Sequence, residues 1–320
     1  MKKVLVCGAS GFIGRNVAEK LAQNKNYEMT GTYLNSEKPD IDGVKMIRAD
    51  LTNKTSVDEV VAGTDILIQA AATTSGSKDI VTKPYYHVTD NAVINSLIFR
   101  SAFDHKVSHV VFFSCTVMYQ SSNTPIKETD LDMNHPLHQS YMGVGWTKLY
   151  CERMCEFYAR IGETRYTVAR HSNIYGPYDK YDLERSHVFG ATITKVETAS
   201  DGEKVIVWGE GTAARDLLYS SDLVRFVELA LDNQKEKIAL YNVGYGEAFS
   251  VKELVQKIIS ASGKQITIEH DLTKPNIETK VFLDTARVKN SIGWEPWVSL
   301  DEGIRKTIDW YRENINMVKL

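Results

Sequence analysis

The stretch Gly8-Ala9-Ser10-Gly11-Phe12-Ile13-Gly14 follows a short apolar run, Val4-Leu5-Val6, and precedes a helical pattern over 12–24. Glycines at this spacing let the chain turn tightly at the end of a strand and bring backbone N–H groups close to a pyrophosphate. The helix that follows adds the favourable dipole of its N-terminus. Glycine turns also serve packing alone, so the order of strand, glycines and helix carries the reading. The turn is expected to hold a dinucleotide through Gly8, Ser10, Gly11, Phe12 and Ile13.

Beyond the turn, short β-rich runs alternate with helical patterns. Strands are expected at Lys3–Cys7, Met29–Tyr33, Val44–Arg48, Ile66–Gln69, Val110–Phe113 and Tyr166–Arg170, and helices at 12–24, 55–61, 88–105 and 140–161. Such alternation implies a parallel sheet with helices on both faces, wound right-handedly. The fold class is α/β: a Rossmann-type doubly wound parallel sheet with a smaller C-terminal α/β lobe. After residue 170 the pattern loosens. Asn173–Glu184 reads as a loop, 187–196, 222–232, 251–261 and 300–314 as helices, and short strands fall near 205–208, 240–243 and 266–269. The expected division gives the cofactor domain residues 1–172 and about 217–245. The substrate lobe then takes 173–216 and 246–320.

Bulk properties exclude several classes. With 320 residues, 43% hydrophobic and 25% charged, the chain is an ordinary globular one. A net charge of −3 offers no basic footprint for nucleic acid. No apolar run approaches the ~20 residues that span a bilayer, so no membrane partner is expected. The N-terminus lacks a signal-peptide pattern, and Cys7, Cys115, Cys151 and Cys155 show no zinc spacing. Reduced thiols in a cytoplasmic protein, with no metal, are the expectation.

An NAD enzyme of this kind carries an acid at the end of its second strand to bond the ribose 2′-OH. Thr30-Gly31-Thr32-Tyr33-Leu34-Asn35 carries none, and Tyr33 is counted among the cofactor-binding residues. For a 2′-phosphate the nearest cations are Arg15 and Lys38, and Arg15 equally reads as a solvated first-turn residue. The expectation is NAD, with NADP as the alternative.

The Gly-x-x-Gly-x-x-Gly spacing resembles the extended short-chain dehydrogenase/reductase family, in the branch that works on nucleotide sugars. The resemblance spans nearly the whole chain. Asp50-Leu51 is similar to the family's adenine-contacting segment, Ala70-Ala71-Ala72 to its cofactor-lining loop, and Asn91 to the Asn of the next helix. Arg170-x-x-Asn173-x-Tyr175-Gly176-Pro177 and Arg215-Asp216-Leu217-Leu218-Tyr219-x-x-Asp222 resemble two later family segments. Relatives are usually dimers that pack the 88–105 and 140–161 helices, so a homo-oligomer is implied.

In the family a Tyr moves the proton, and a Lys four residues later lowers its pKa and bonds the nicotinamide ribose. Lys148, with Glu152 after it, matches that Lys, but the position four before it is Val144. Valine cannot transfer a proton. Tyr141, two turns before Lys148, is either the substitute or a core or interface aromatic. In Phe113-Ser114-Cys115-Thr116-Val117-Met118-Tyr119, Cys115 falls where the family has Ser or Thr. Thr116 is the more conventional hydrogen-bonding partner, while Cys115 is either an acid or a small buried hydrophobe.

The stretch Tyr175–Val188, with its Ser186-His187-Val188, resembles the loop of GDP-L-fucose synthases and their relatives. That likeness implies a guanosine diphosphate and a manno-type sugar. His187 matches an acid or base of epimerisation, and a cap or pyrophosphate contact is the other reading. Arg215 suits a diphosphate or ribose, or else an ion pair with Asp216 or Asp222. Asn173, Arg185, Val188 and Lys274 complete the expected substrate contacts. Three functions follow. The first is an oxidoreductase at C4 of a GDP-sugar, GDP-heptose among the candidates, in surface or capsule polysaccharide synthesis. The second is a GDP-4-keto-6-deoxy-sugar epimerase/reductase using Cys115 and His187. The third is a weakly catalytic cofactor-holding protein, against which retention of the 173–188 loop argues.

Overall fold

The computed structural model describes residues 1–73, 84–183, 186–273 and 279–317. Its main sheet uses β1 (Lys2–Cys7), β2 (Tyr27–Tyr33), β3 (Val44–Arg48), β4 (Ile66–Gln69), β5 (His109–Phe113) and β6 (Arg165–His171). Three-residue β7 (Asn173–Tyr175), β8 (Lys204–Trp208), β9 (Ala214–Arg215) and β10 (Leu217–Tyr219) precede β11 (Ile238–Val243). The order β11-β6-β5-β4-β1-β2-β3, parallel throughout, is a Rossmann-type α/β fold. Val4 to Cys7 and all of β4 and β5 are buried. Helices cover both faces, which is why these strands read as continuous apolar runs rather than alternating ones.

The helices are α1 (Phe12–Leu21), α2 (Lys54–Val61), α3 (Thr89–Asp104), α4 (Met142–Ile161), α5 (Val188–Thr198), α6 (Ser220–Asn233), α7 (Val251–Ser262), α8 (Ala286–Ile292) and α9 (Leu300–Glu313). Their ends follow local chemistry. Ser250 and Glu253 form a reciprocal capping box before α7, and Gly263, at φ +76°, ends it. One face of the sheet packs on α1, α6 and α8 through Val17, Leu21, Phe226, Val288 and Trp294. The other packs on α3 and α4 through Ile98, Phe99, Cys151 and Cys155. A separate core joins Phe189, Ile193, Ile258, Ile304 and Tyr311.

Asn173–Tyr175 is not loop: it is β7, paired in parallel with β10. Three residues are too few to show a period-2 pattern, and Gly176-Pro177 after them gives a turn signal. The 12–24 helix stops at Leu21. β12 (Phe249–Ser250) and β14 (Lys280–Val281) flank β9, and β13 (Thr267–Asp271) pairs with β8.

A buried polar chain links β5, β6 and α6: His109 Nε2 lies 2.8 Å from Thr167 Oγ1, which donates to Gln234 Oε1 at 2.5 Å. Burial, helped by the charges of Arg165 and Lys2, pushes the His109 pKa down to about 3. The unfolded chain binds this proton below about pH 6.5 and the folded chain does not. Folding stability is therefore expected to fall as pH drops from 6.5 towards 3. His109→Gln should flatten that acid slope in denaturant melts taken across this range, and an unchanged slope would contradict it.

Candidate active site

The glycine turn closes on itself. Gly8 sits at φ +77°, a region that costs L side chains strain. A Cβ there would stand 2.7 Å from Ala71 Cα, and one on Gly14 would stand 2.1 Å from the Gly8 carbonyl oxygen. Gly8 N donates to Thr32 Oγ1 at 2.9 Å, and Gly11 N donates to Gly8 O at 3.0 Å. Gly11 caps α1 without a side-chain bond, and the first turn holds no acid. The Gly8 and Gly11 amides are spent on these bonds, and the first-turn amides and dipole of α1 lie beside a surface with no Cβ at 8, 11 or 14, which fits a pyrophosphate. Ser10, Phe12 and Ile13 are half-buried around it. The turn lies where β1 meets β4 on one side and β2 on the other, the switch point of a doubly wound sheet.

Neighbouring loops are fixed by specific bonds. Ala70 N donates to Cys7 O at 3.1 Å, and Gln69 Nε2 donates to Ala71 O at 3.0 Å. Ala72 is exposed. Asn91 accepts from Thr73 N at 2.8 Å and donates to Thr73 O at 3.0 Å, so it clamps the end of this loop. Asp50 is exposed beside buried Leu51, and the Thr52 hydroxyl and amide lower its pKa. Tyr33 ends β2 half-buried, and Arg48 Nε donates to the Leu34 carbonyl after it at 3.2 Å. Arg15 is no solvated first-turn residue: it pairs with Glu19 at 2.9 Å and stacks on Tyr178, 4.0 Å from the ring centre. Lys38 is exposed.

At the exits of β5 and β6, Lys148 and Glu152 of α4 meet Phe113, Ser114 and Arg170. Lys148 Nζ donates to Phe113 O at 2.7 Å and stands 4.9 Å from the Phe112 ring centre. One turn on, Glu152 accepts from Ser114 Oγ at 2.6 Å and from Arg170 Nε and Nη2 at 3.0 and 2.7 Å. Both partners of that ion pair are almost fully buried, at 2% and 3% exposure. Arg170 also donates to Tyr119 OH, which donates to Asn242 Oδ1. Burial pushes the Tyr119 pKa up to about 12 and raises the half-buried Cys115 thiol, with the Lys148 charge opposing at Cys115. Thr116 is half-buried beside it, and Val144 stands one turn before Lys148. Tyr141 stands at the N-cap of α4 and tilts against His138.

Across from these, His187 caps α5 by its backbone only, so a side-chain cap is not its part. It is open to solvent yet closely surrounded, and burial, with the charges of Lys180 and His87, lowers its pKa. Val188 beside it is 38% exposed. Arg215 Nη1 donates to the carbonyls of Ala214 and Thr279 at 3.0 and 2.9 Å. Asp216 turns instead to the amides of Tyr245, Gly246 and Leu283, and Asp222 to those of Trp297 and Val298. Neither expected ion pair forms, which leaves the Arg215 charge for an anion. Asn173 is exposed and donates to Asp216 O at 3.2 Å. Arg185 and Lys274 lie outside the described residues.

Sequence reasoning passed over three side chains. Thr32 holds Gly8. Asn16 donates to both Phe12 O and Pro177 O at 2.9 Å, tying α1 to the loop after β7. His171, at the exit of β6, meets the Phe113 ring with centres 6.1 Å apart. A titratable residue directly after a predicted strand was the available signal for His171. The other two have none, because their partners are distant in sequence.

Residues 4–244 match the NAD dependent epimerase/dehydratase family. The chain belongs to that family. NAD is accordingly its cofactor. A GDP-L-fucose synthase of Azorhizobium caulinodans is 28% identical, with 97% of this chain and 96% of that protein covered. A GDP-L-colitose synthase of Yersinia pseudotuberculosis is 26% identical, over 98% and 99%. Among solved structures, the UDP-glucose 4-epimerase of Thermotoga maritima superposes with a TM-score of 0.85 at 24% identity, covering 98% and 99%. Among the described residues no helix is long and apolar enough to cross a membrane, and no cluster of His, Cys, Asp or Glu suits a metal.

The glycine geometry separates two roles. Gly14→Ala should lower the melting temperature, because its Cβ meets backbone. Gly11→Ala meets Gly8 O only at 3.4 Å. It should fold normally and lose NAD affinity by tenfold or more in calorimetric titration, about 1.4 kcal/mol. Equal effects of the two substitutions on melting would contradict this assignment.

Proposed function

We propose that the protein is an NAD-dependent oxidoreductase acting at C4 of a GDP-linked, manno-type sugar, GDP-heptose among them, in a cytoplasmic step of surface polysaccharide synthesis. The observation that carries the reading is whole-length similarity to two enzymes named for GDP-sugars. Arg215, held by carbonyls with no carboxylate on it among the described residues, supplies a cation for the diphosphate. Bound NAD would supply a hydride acceptor or donor at the exits of β4 to β6. Lys148 would hold the nicotinamide ribose, from a position now fixed by the Phe113 carbonyl. Thr116 would orient the reacting oxygen, while Asn173, Val188 and, by resemblance, Arg185 and Lys274 line the nucleotide side.

A second reading is the epimerase/reductase. Cys115 with a raised pKa stays a thiol, able to give a proton, and His187 with a lowered one stays neutral, able to take one. Such a pair could exchange a proton at carbon before reduction.

Titration with GDP-mannose, GDP-heptose and UDP-glucose, with absorbance followed at 340 nm, tests the reading. GDP-sugars should bind and Arg215→Met should weaken them roughly 10–100-fold, the worth of a charged hydrogen bond. Equal affinity for UDP-glucose, or no effect of the substitution, would contradict it.

We also propose a homo-oligomer. Met142, Trp146, Tyr150, Phe157 and Ile161 are exposed along α4 by 55, 46, 49, 55 and 52%. Their spacing puts them on one helical stripe, beside exposed Val93 of α3. Trp146→Glu with Phe157→Arg should give a monomer in sedimentation equilibrium, and an unchanged mass would contradict this interface.

A further inference from the structure

We infer that His171 is the general base that takes the proton of the sugar hydroxyl, in the role for which α4 offers only Val144. The inference rests on the reading of the site as a GDP-sugar oxidoreductase.

Three geometric facts point to it. First, His171 ends β6 and lies two residues past Ala169, which pairs with Phe113 across the sheet. Residues two apart share a face, so the imidazole rises over the exit of β5, where its ring meets Phe113. The carbonyl of that same Phe113 holds Lys148 Nζ at 2.7 Å. Imidazole and ammonium therefore stand at one strand exit. Second, His171 Nδ1 lies 2.7 Å from the Ser172 carbonyl oxygen. A carbonyl only accepts, so the hydrogen bond assigns the proton to Nδ1 and leaves the Nε2 lone pair as an acceptor. Third, the side chain is half-buried, neither sealed in the core nor fully solvated.

Three neighbouring side chains have other engagements. The Ser114 hydroxyl donates to Glu152, the Cys115 thiol is held protonated, and the Tyr141 ring lies against that of His138.

Bound oxidised NAD would supply the acceptor for the hydride that leaves as the carbinol C–H bond breaks. The O–H bond breaks, its proton goes to Nε2 and C=O forms. The imidazolium keeps its Nδ1–H on Ser172 and later returns the other proton to water. Burial pushes the His171 pKa down to about 4, with the Ser172 bond opposing and the Lys148 charge adding to the fall. The imidazole is thus neutral at pH 7, a proton acceptor in waiting. Reduction would run the same step in reverse, from the protonated imidazole.

The tautomer is the first test, and it needs no sugar. Long-range nitrogen–proton NMR of the histidine-labelled, NAD-loaded protein should place a single proton on Nδ1 of His171 at pH 7, with the signal assigned by its loss in His171→Asn. A proton on Nε2 would overturn the proposal. The second test uses the GDP-sugar that the wild type oxidises. His171→Gln should lower kcat by ~10²-fold or more, the worth of general base catalysis, with KM and NAD affinity unchanged. Adding Val144→Tyr to that variant should restore turnover. A kcat drop of less than about tenfold, with the circular dichroism spectrum unchanged, would overturn the role. Failure of the wild type to oxidise any GDP-sugar would instead overturn the function on which it rests.

Discussion

The approach of Gly14 to the Gly8 carbonyl is the constraint on which the rest depends. With no Cβ between them, α1 begins directly against the end of β1. That contact aims the first amides of the helix into the crevice beside β4. It also presses Gly8 onto Ala71, so two loops from different strands form one wall. Because Asn16 and Arg15 project from the same helix onto Pro177 and Tyr178, its placement also sets the loop after β7. Tyr178 holds φ +68°, and its ring meets Trp310 of α9 with centres 5.1 Å apart. Strain of this kind persists only where surrounding structure over-determines it.

A second constraint fixes the reacting end. Glu152 and Arg170 are an ion pair removed from water, with the Ser114 and Tyr119 hydroxyls and the Glu128 carbonyl as their further partners. Breaking such a pair by removing one partner leaves a buried charge and costs ~3–5 kcal/mol. The pair locks α4 to the exits of β5 and β6, and thereby sets where Lys148, Cys115 and His171 stand. Catalytic geometry here is a consequence of an ion pair beneath the site.

The main sheet was legible in the sequence because its strands are buried on both faces and its helices repeat at a clear period. Val44–Arg48 and Ile66–Gln69 have the bounds that their β-rich runs predict. Local signals fail where partners are remote. Asn173–Tyr175 is a strand only because Leu217–Tyr219 pairs with it, and Thr32 matters only because Gly8 N reaches it. Arg215 shows the same limit: its neighbours Asp216 and Asp222 suggest ion pairs, but both carboxylates are drawn to backbone amides of other loops. Val144 announces the missing tyrosine, whereas the neighbour that could replace it stands 27 residues on in another element.

The central claim is that NAD and a GDP-sugar meet at the exits of β5 and β6, with His171 facing the reacting hydroxyl. A crystal structure with NAD and GDP-mannose bound tests it most directly. The account predicts the pyrophosphate on the amides of Phe12 and Ile13 and a sugar hydroxyl ~2.6–3.2 Å from His171 Nε2. A sugar hydroxyl on Tyr141 instead, with His171 turned from the substrate, would contradict it.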